Sequence, residues 1–310
     1  MLTVITNAAE VATAQGELRA GGTDLHDRYR AGVSAGPIVD IHKLPGLNTI
    51  AQQADGTTTI GPLVTIDQVA KHPLIAQQYT GLAQAADGLA TPQIRWAASM
   101  GGALLQRTRC WFYRHPDYVC FKKGGDECHA RERHNPNGVL FDRGGCVYPH
   151  PSTLGMALLA YDAEVEIYEQ GRRPIAELYG DGSDPTRDHL LAPNDLLTKI
   201  HLPSPAADER TAYFRSISRF EAEWPIVECL VRLVVANETI MFARVGVGGV
   251  AAMPLRLPNV ETALTGQPAT QATLVAAAPI AAENANPLPH SAHKIDFLVG
   301  TVLTTLEQAL

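Results

Sequence analysis

Four of the chain's five cysteines crowd into one segment, Cys110-x9-Cys120-x7-Cys128-x17-Cys146, with Cys229 far away. Thiolates are soft, strongly donating ligands, and four within reach of one point satisfy a tetrahedral zinc ion or the corners of an iron-sulfur cluster. The gaps match neither the paired Cys-x2-Cys hooks of most structural zinc sites nor the tight bacterial ferredoxin run. Long, irregular gaps suit a loop wrapped around a larger object, which ranks an iron-sulfur cluster first, zinc second, and disulfides or unligated thiols third. His115, His129 and His134 lie among the cysteines. One of them in place of a thiolate would make a Cys3His set, although four cysteines already suffice.

Arg107, Arg109, Arg114, Lys122, Lys123, Arg131, Arg133 and Arg143 also crowd this segment, in a chain of net charge -7. A cluster held by four thiolates is an anion, which nearby cations stabilise. An acidic chain argues against nucleic-acid binding, despite Trp111, Phe112 and Tyr113. With 310 residues, 45% apolar and 18% charged, the chain can bury a large core divided into two or three subdomains. No apolar run approaches the ~20 residues that span a bilayer, and Met1 to Ile5 lack a secretory signal's basic start, so the expectation is a cytoplasmic protein without membrane insertion. Clustered cysteines in that compartment hold metal more often than they form disulfides.

Leu18-Arg19-Ala20 runs as a strand into Gly21-Gly22-Thr23-Asp24-Leu25, followed by a helix-compatible stretch to Tyr29. Backbone N–H groups of such a glycine turn and helix start point at one spot and form a phosphate nest, although an ordinary capped turn has the same sequence. Strands are expected at residues 38–41 and 57–60, and a helix from Thr65. A second glycine loop, Ser99-Met100-Gly101-Gly102-Ala103, directly precedes the cysteine segment. Two nests from separate parts of the chain suit a long, pyrophosphate-bearing cofactor. Neither loop has the Gly-x-Gly-x-x-Gly spacing of a Rossmann site.

These motifs, in order, resemble the FAD-binding medium subunit of the molybdenum hydroxylases, the xanthine dehydrogenase and aldehyde oxidoreductase family. The resemblance rests on residues 20–25, 60–65, 93–95 and 99–102, on Pro151-Ser152 before 158–165, and on 197–200, 214–219, 246–251 and 254–256. Leu104 to Cys110 is similar to the branch with an added 4Fe-4S cluster, which includes bacterial periplasmic aldehyde oxidoreductase and 4-hydroxybenzoyl-CoA reductase. The implied fold is α+β: a two-part FAD-binding domain of the vanillyl-alcohol-oxidase-like (PCMH) type over residues 1–209, with subdomains 1–52 and 53–209 and an inserted cysteine loop, 104–150. A smaller C-terminal α/β domain would fill 210–310.

The resemblance implies FAD contacts at Arg19, Ala20, Gly21, Gly22, Thr23, Asp24, Leu25, Leu89, Ser99, Gly101, Gly102, Ala103, Thr153, Ile200 and Arg215. It implies cluster ligation by Cys110, Cys120, Cys128 and Cys146. Ala103 stands where the family often has Asn, Thr153 where Asp is common, and Arg215 where Lys is frequent, which changes the cation's geometry. By resemblance the chain is an electron-transfer subunit. A large molybdopterin-binding subunit would oxidise an aldehyde or an aromatic or heterocyclic substrate, a small 2Fe-2S subunit would relay electrons, and FAD here would pass them to an external acceptor. The plant-type Cys-x4-Cys-x2-Cys signature is absent, consistent with a relay cluster on a partner. Export with a signal-bearing partner would make the chain periplasmic. The alternatives are a zinc-stabilised flavin-binding or scaffold subunit, or a self-sufficient flavoenzyme, for which no catalytic acid or base stands out. Near the C-terminus, Ile295, Leu298, Val302, Leu306 and Leu310 form the apolar stripe of a helix, after an exposed connection at 279–289.

Overall fold

A computed structural model describes residues 1–310. The first sheet has three short parallel strands, β1 (Leu2–Val4), β2 (Glu17–Arg19) and β3 (Ile38–Asp40), in the order β1-β3-β2. Parallel neighbours need a crossover, and here the chain leaves β2 through Gly21-Gly22 and the helix Leu25–Arg30 before returning as β3. That turn therefore lies beyond the carboxyl end of a parallel strand, the usual place for a ligand on such a sheet.

The second sheet is antiparallel, with β4 (Ile50–Gln52), β5 (Thr58–Ile60), β6 (Glu164–Ile167), β7 (Gly171–Pro174) and β8 (Leu197–Leu202) in the order β4-β5-β8-β6-β7. Residues 50–52 thus belong with this sheet. Between β5 and β6 run several short helices. The one at Ile66–Lys71 is started by a full capping box, in which Thr65 and Gln68 each bond the other's backbone. The helix Met100–Leu104 begins at Ser99, whose side chain accepts from the Gly102 amide.

The third sheet is an antiparallel meander of β9 (Glu209–Ser216), β10 (Val227–Ala236), β11 (Thr239–Gly248) and β12 (Leu255–Arg256). Helices follow it, so this domain is α+β and the α/β expectation for it is corrected. Consecutive strands pair antiparallel and are joined by a tight turn at 237–238 and by loops without helices at 217–226 and 249–254, so the crossover helices of an α/β unit are absent. Strand periodicity divides the two faces of β10. Cys229, Val231 and Leu233 face the C-terminal core with Leu298, Val302 and Leu306 of the helix Lys294–Ala309. Glu228, Leu230 and Arg232 face the N-terminal domain, where Leu230 joins the larger core, Glu228 meets Thr153 and Arg232 reaches the Ala160 carbonyl. The helix Thr153–Ala160 packs so closely on β11 that a Cβ on Gly246 would lie 3.0 Å from the Met156 carbonyl oxygen.

Arg232 holds the two halves together. It makes a two-pronged bond to Glu209 (2.9 and 2.8 Å), donates to Ala160 (2.8 Å) and stacks on Tyr161. Both charged side chains are almost fully buried. Removing one partner strands the other charge, so Arg232→Met should cost about 3 kcal/mol, read as a lower midpoint in urea. Arg232→Lys should recover little, because an ammonium cannot make the fork. No helix is long and apolar enough to cross a membrane.

Candidate functional site

The two glycine loops, some 80 residues apart in sequence, are pressed together at the end of the first sheet. A Cβ on Gly21 would lie 1.7 Å from the Ala97 carbonyl oxygen, and one on Gly101 would lie 2.8 Å from Pro62 Cβ. Gly22 has φ +74°, a conformation few other residues adopt. The amides of Gly22, Thr23, Asp24 and Leu25 have no acceptor within the protein. Amides at a turn that opens a helix form an anion nest. The second loop is different. Gly101 N–H donates to the Pro62 carbonyl (2.8 Å) and Gly102 N–H to Ser99 Oγ (3.2 Å). Its contribution is bare backbone that lets a ligand come close, and it offers fewer free donors than its glycines suggested.

From this contact a continuous groove runs toward the C-terminal domain. Arg19, Ala20, Gly21, Gly22, Leu25, Ser99 and Gly101 line one end; Leu89, Ala103, Thr153 and Arg215 line the other; Thr23, Asp24 and Gly102 lie where the two join. Ile200 is not in the groove. It lies on β8 and is fully buried in the core, and Asp195 and Leu196 just before that strand and Leu197 at its start face the groove. Sequence reasoning also missed Pro62, Leu63, Leu105 and Gln106, apart from the motif positions shared with the family. Arg215 donates to the Glu221 carbonyl, which ties the exposed 217–226 segment, with Phe220 and Trp224, to the groove's far end.

Asp24 joins the groove to the cysteine loop. Its carboxylate pairs with Arg28 (3.0 Å), Arg109 (3.2 Å) and Arg114 (2.6 Å), and Asp27 also meets Arg114 (3.2 Å). Burial alone would raise the Asp24 carboxyl, but Arg109 and Arg114 outweigh it and hold the group below the usual carboxylate range. Arg107 and Lys122 share the buried Asp188 (2.6 and 3.0 Å), and Arg131 grips Asp142 (2.5 Å). The basic residues of the loop therefore act mostly as internal ion-pair staples. Arg131 and Lys122 are the two whose charge is felt at the thiols, Arg131 at Cys128 and Cys146, Lys122 at Cys146.

Cys110, Cys120, Cys128 and Cys146 line one small cavity, walled also by Phe112, Tyr113 and Ala130. They ring this space and do not converge on a single point: no three His, Cys, Asp or Glu side chains gather as they would around one metal ion. Burial pushes the Cys110 thiol up to about 11 and the Cys146 thiol to about 12, so ligation there would have to drive off protons. His129 faces the same cavity with a buried, unpartnered Nε2. His115 stacks on Tyr118 and His134 on His290. Cys229 is fully buried in the C-terminal core.

Glu228 is 2% exposed and receives hydrogen bonds from Thr153 Oγ1 (3.1 Å) and Tyr213 OH (2.8 Å). Burial pushes its carboxyl up to about 7, against the smaller opposing pull of these bonds. A raised carboxyl pKa stabilises the fold fully below the unfolded value near 4.5, and that stability is lost as pH rises through about 7. Glu228→Gln removes the titration. The variant should therefore gain about 3 kcal/mol over the parent between acid and mildly alkaline solution, seen as thermal midpoints that diverge as pH rises.

Residues 3–205 match the family model described as the FAD binding domain in molybdopterin dehydrogenase, and residues 212–295 that of the CO dehydrogenase flavoprotein C-terminal domain. The chain is 30% identical over 274 residues to the aldehyde oxidoreductase FAD-binding subunit PaoB of Escherichia coli strain K12, covering 86% of this chain and 84% of that one. It is 24% identical over 242 residues to the carbon monoxide dehydrogenase medium chain of Hydrogenophaga pseudoflava, covering 78% and 69%. Its fold superposes on a solved carbon monoxide dehydrogenase chain from Hydrogenophaga pseudoflava with TM-score 0.77 at 21% identity, over 99% of this chain and 96% of that one.

Proposed function

Because the chain belongs to the family of FAD-binding subunits of molybdenum hydroxylase-type dehydrogenases, we propose that it is the electron outlet of such a complex, carrying FAD in its groove and a 4Fe-4S cluster in its cysteine loop. One observation carries the flavin reading: two glycine loops distant in sequence meet at a groove whose first loop offers four adjacent amides without an acceptor. The free amides of residues 22–25 would hold the pyrophosphate, and the bare backbone of Gly21 and Gly101 would let it approach. Arg215 and Thr153 would lie toward the ring, in the two-part PCMH-type arrangement. FAD exchanges electrons in pairs or singly, which suits a junction between one-electron carriers and an acceptor.

That all four thiols line one cavity supports a shared ligand there, and the resemblance of Leu104 to Cys110 to the cluster-bearing branch favours 4Fe-4S over zinc. The large molybdopterin-binding subunit, the small 2Fe-2S subunit and the external acceptor follow from the family. Similarity to an aldehyde oxidoreductase subunit favours an aldehyde as the substrate oxidised by the large subunit. The test is to co-express the complex anaerobically and assay flavin, iron, zinc and acid-labile sulfide. One FAD and about four irons per chain beyond the partners' share are expected. Zinc in place of iron would remove the cluster but leave the flavin subunit; a complex without flavin would overturn the reading.

A further inference from the structure

Glu228 lies at the border of two adjoining spaces. Its partner Thr153 lines the groove, while Glu228 itself lines a neighbouring cavity of about 490 Å³ that meets the groove at Asp27, Arg109, Glu223, Trp224 and Pro225. Each carboxyl oxygen has one hydroxyl partner, Thr153 or Tyr213, and neither has a cation within ion-pair distance. Arg215 is the nearest charge, on β9 beside Tyr213. From β11 no side chain faces it: a Cβ on Gly248 would lie 2.3 Å from Glu228 Oε1. Asp27, Arg109, Arg114, Tyr148, His150, Glu223 and Lys294 are the titratable or charged groups that share its cavity, and the imidazole Nε2 of His150 is buried without a partner. A lone acid served by hydroxyls, in place of arginines, is held for its proton and not for its charge.

We propose that Glu228 is the proton store of the flavin site, exchanging its proton with the groove through the Thr153 hydroxyl. The inference rests on the flavin reading above. A hydroxyl can accept one proton while giving up its own, which is what a relay at this position requires. When two electrons reach the groove from an iron-sulfur donor, the Thr153 hydroxyl, which otherwise donates to Glu228, turns its hydrogen to the groove; the Glu228 O–H bond breaks, Thr153 takes that proton as it passes its own into the groove, and a carboxylate remains. One negative charge then stays in the groove and one on Glu228, which regains a proton from the cavity side. The direction reverses when the electrons leave for the acceptor. Glu228 acts through Thr153 and is a positioning residue, not one that touches the reacting atoms.

The test uses the intact complex, after its flavin content has been measured. Infrared difference spectra between oxidised and reduced flavin should show a carboxylic-acid band that changes in the parent and is lost in Glu228→Gln. The flavin midpoint potential, plotted against pH, should bend near neutrality in the parent, run straight in Glu228→Gln and Thr153→Val, and bend again in Thr153→Ser. A flavin-loaded parent without the redox-linked carboxyl band overturns the proposal even if the variants fail to fold. So does a bend that persists in flavin-loaded Glu228→Gln. A parent complex without flavin overturns the reading beneath it as well.

Discussion

Gly21→Ala should yield a complex that no longer retains flavin. The added methyl would lie 1.7 Å from the Ala97 carbonyl oxygen, which is backbone and cannot rotate away. Ala97 ends the helix Pro92–Ala97, and its neighbour Ala98 is bonded on both sides, donating to Ile94 (2.8 Å) and accepting from Ile66 (2.9 Å). The glycine loop must give way instead, which turns the amides of Gly22 to Leu25 from their common focus. Overpacking of this kind costs 1–3 kcal/mol or more in a tight site. With misaligned donors added, flavin affinity should fall ~1,000-fold, about 4 kcal/mol. Flavin per chain after gel filtration reads the loss directly. Gly300→Ala is the control: no atom lies within 4 Å of the added methyl, the site is inside a helix, and the change should be neutral or mildly stabilising. Full flavin content in Gly21→Ala would mean that the groove does not hold the cofactor through this loop.

The second large effect is expected in the cysteine loop. Cys128→Ala should reduce the loop's iron and acid-labile sulfide from about four each per chain to nearly none, because three thiols around a cavity leave one corner of a cubane open. Flavin should remain at more than about half occupancy, since the clamp from Arg109 and Arg114 to Asp24 and Asp27 involves no thiol and ion pairs of this buried kind keep their partners together. Unchanged iron would rule out ligation by the four cysteines. Loss of both cofactors together would show that the cluster, not the ion pairs, orders the flavin loop.

Much of this was readable in the chain. Glycines announce close approach and unusual backbone, so Gly21, Gly22 and Gly101 marked the groove before any fold was known. The cysteines marked the loop because little else brings four thiols so close in sequence. What escaped was long-range or buried. Arg109 and Arg114 looked like counter-charges for a cluster, whereas the fold spends them on Asp24 and Asp27, more than 80 positions away and invisible to local pattern. Ile200 lies in the core and not on the groove: Thr198 and Lys199 sit side by side in the strand Leu197–Leu202, so its apolar residues show no clean alternation to say which of them point where. Glu228 had a signal that was passed over: a single acid inside the apolar run Ile226 to Leu230 must be buried, and a buried acid calls for a reason.

The cysteine loop is also fastened to the last part of the chain. Asn286 bonds the backbone of Asp142 in both directions (2.8 and 3.0 Å), Ser291 donates to the Val139 carbonyl (3.0 Å), and Lys294 reaches the carbonyls of Gly138 (3.0 Å) and Gly249 (2.5 Å). The contacts to Gly138, Val139 and Asp142 join residues 144 to 156 positions apart. During synthesis the four thiols therefore leave the ribosome well before the segment that closes their loop, and the pocket is finished only when the C-terminal helix has been made. The order of closure is thereby set: the loop stays open until the end of translation, and a chain truncated before residue 286 would keep every thiol yet lack the latch that seals them in.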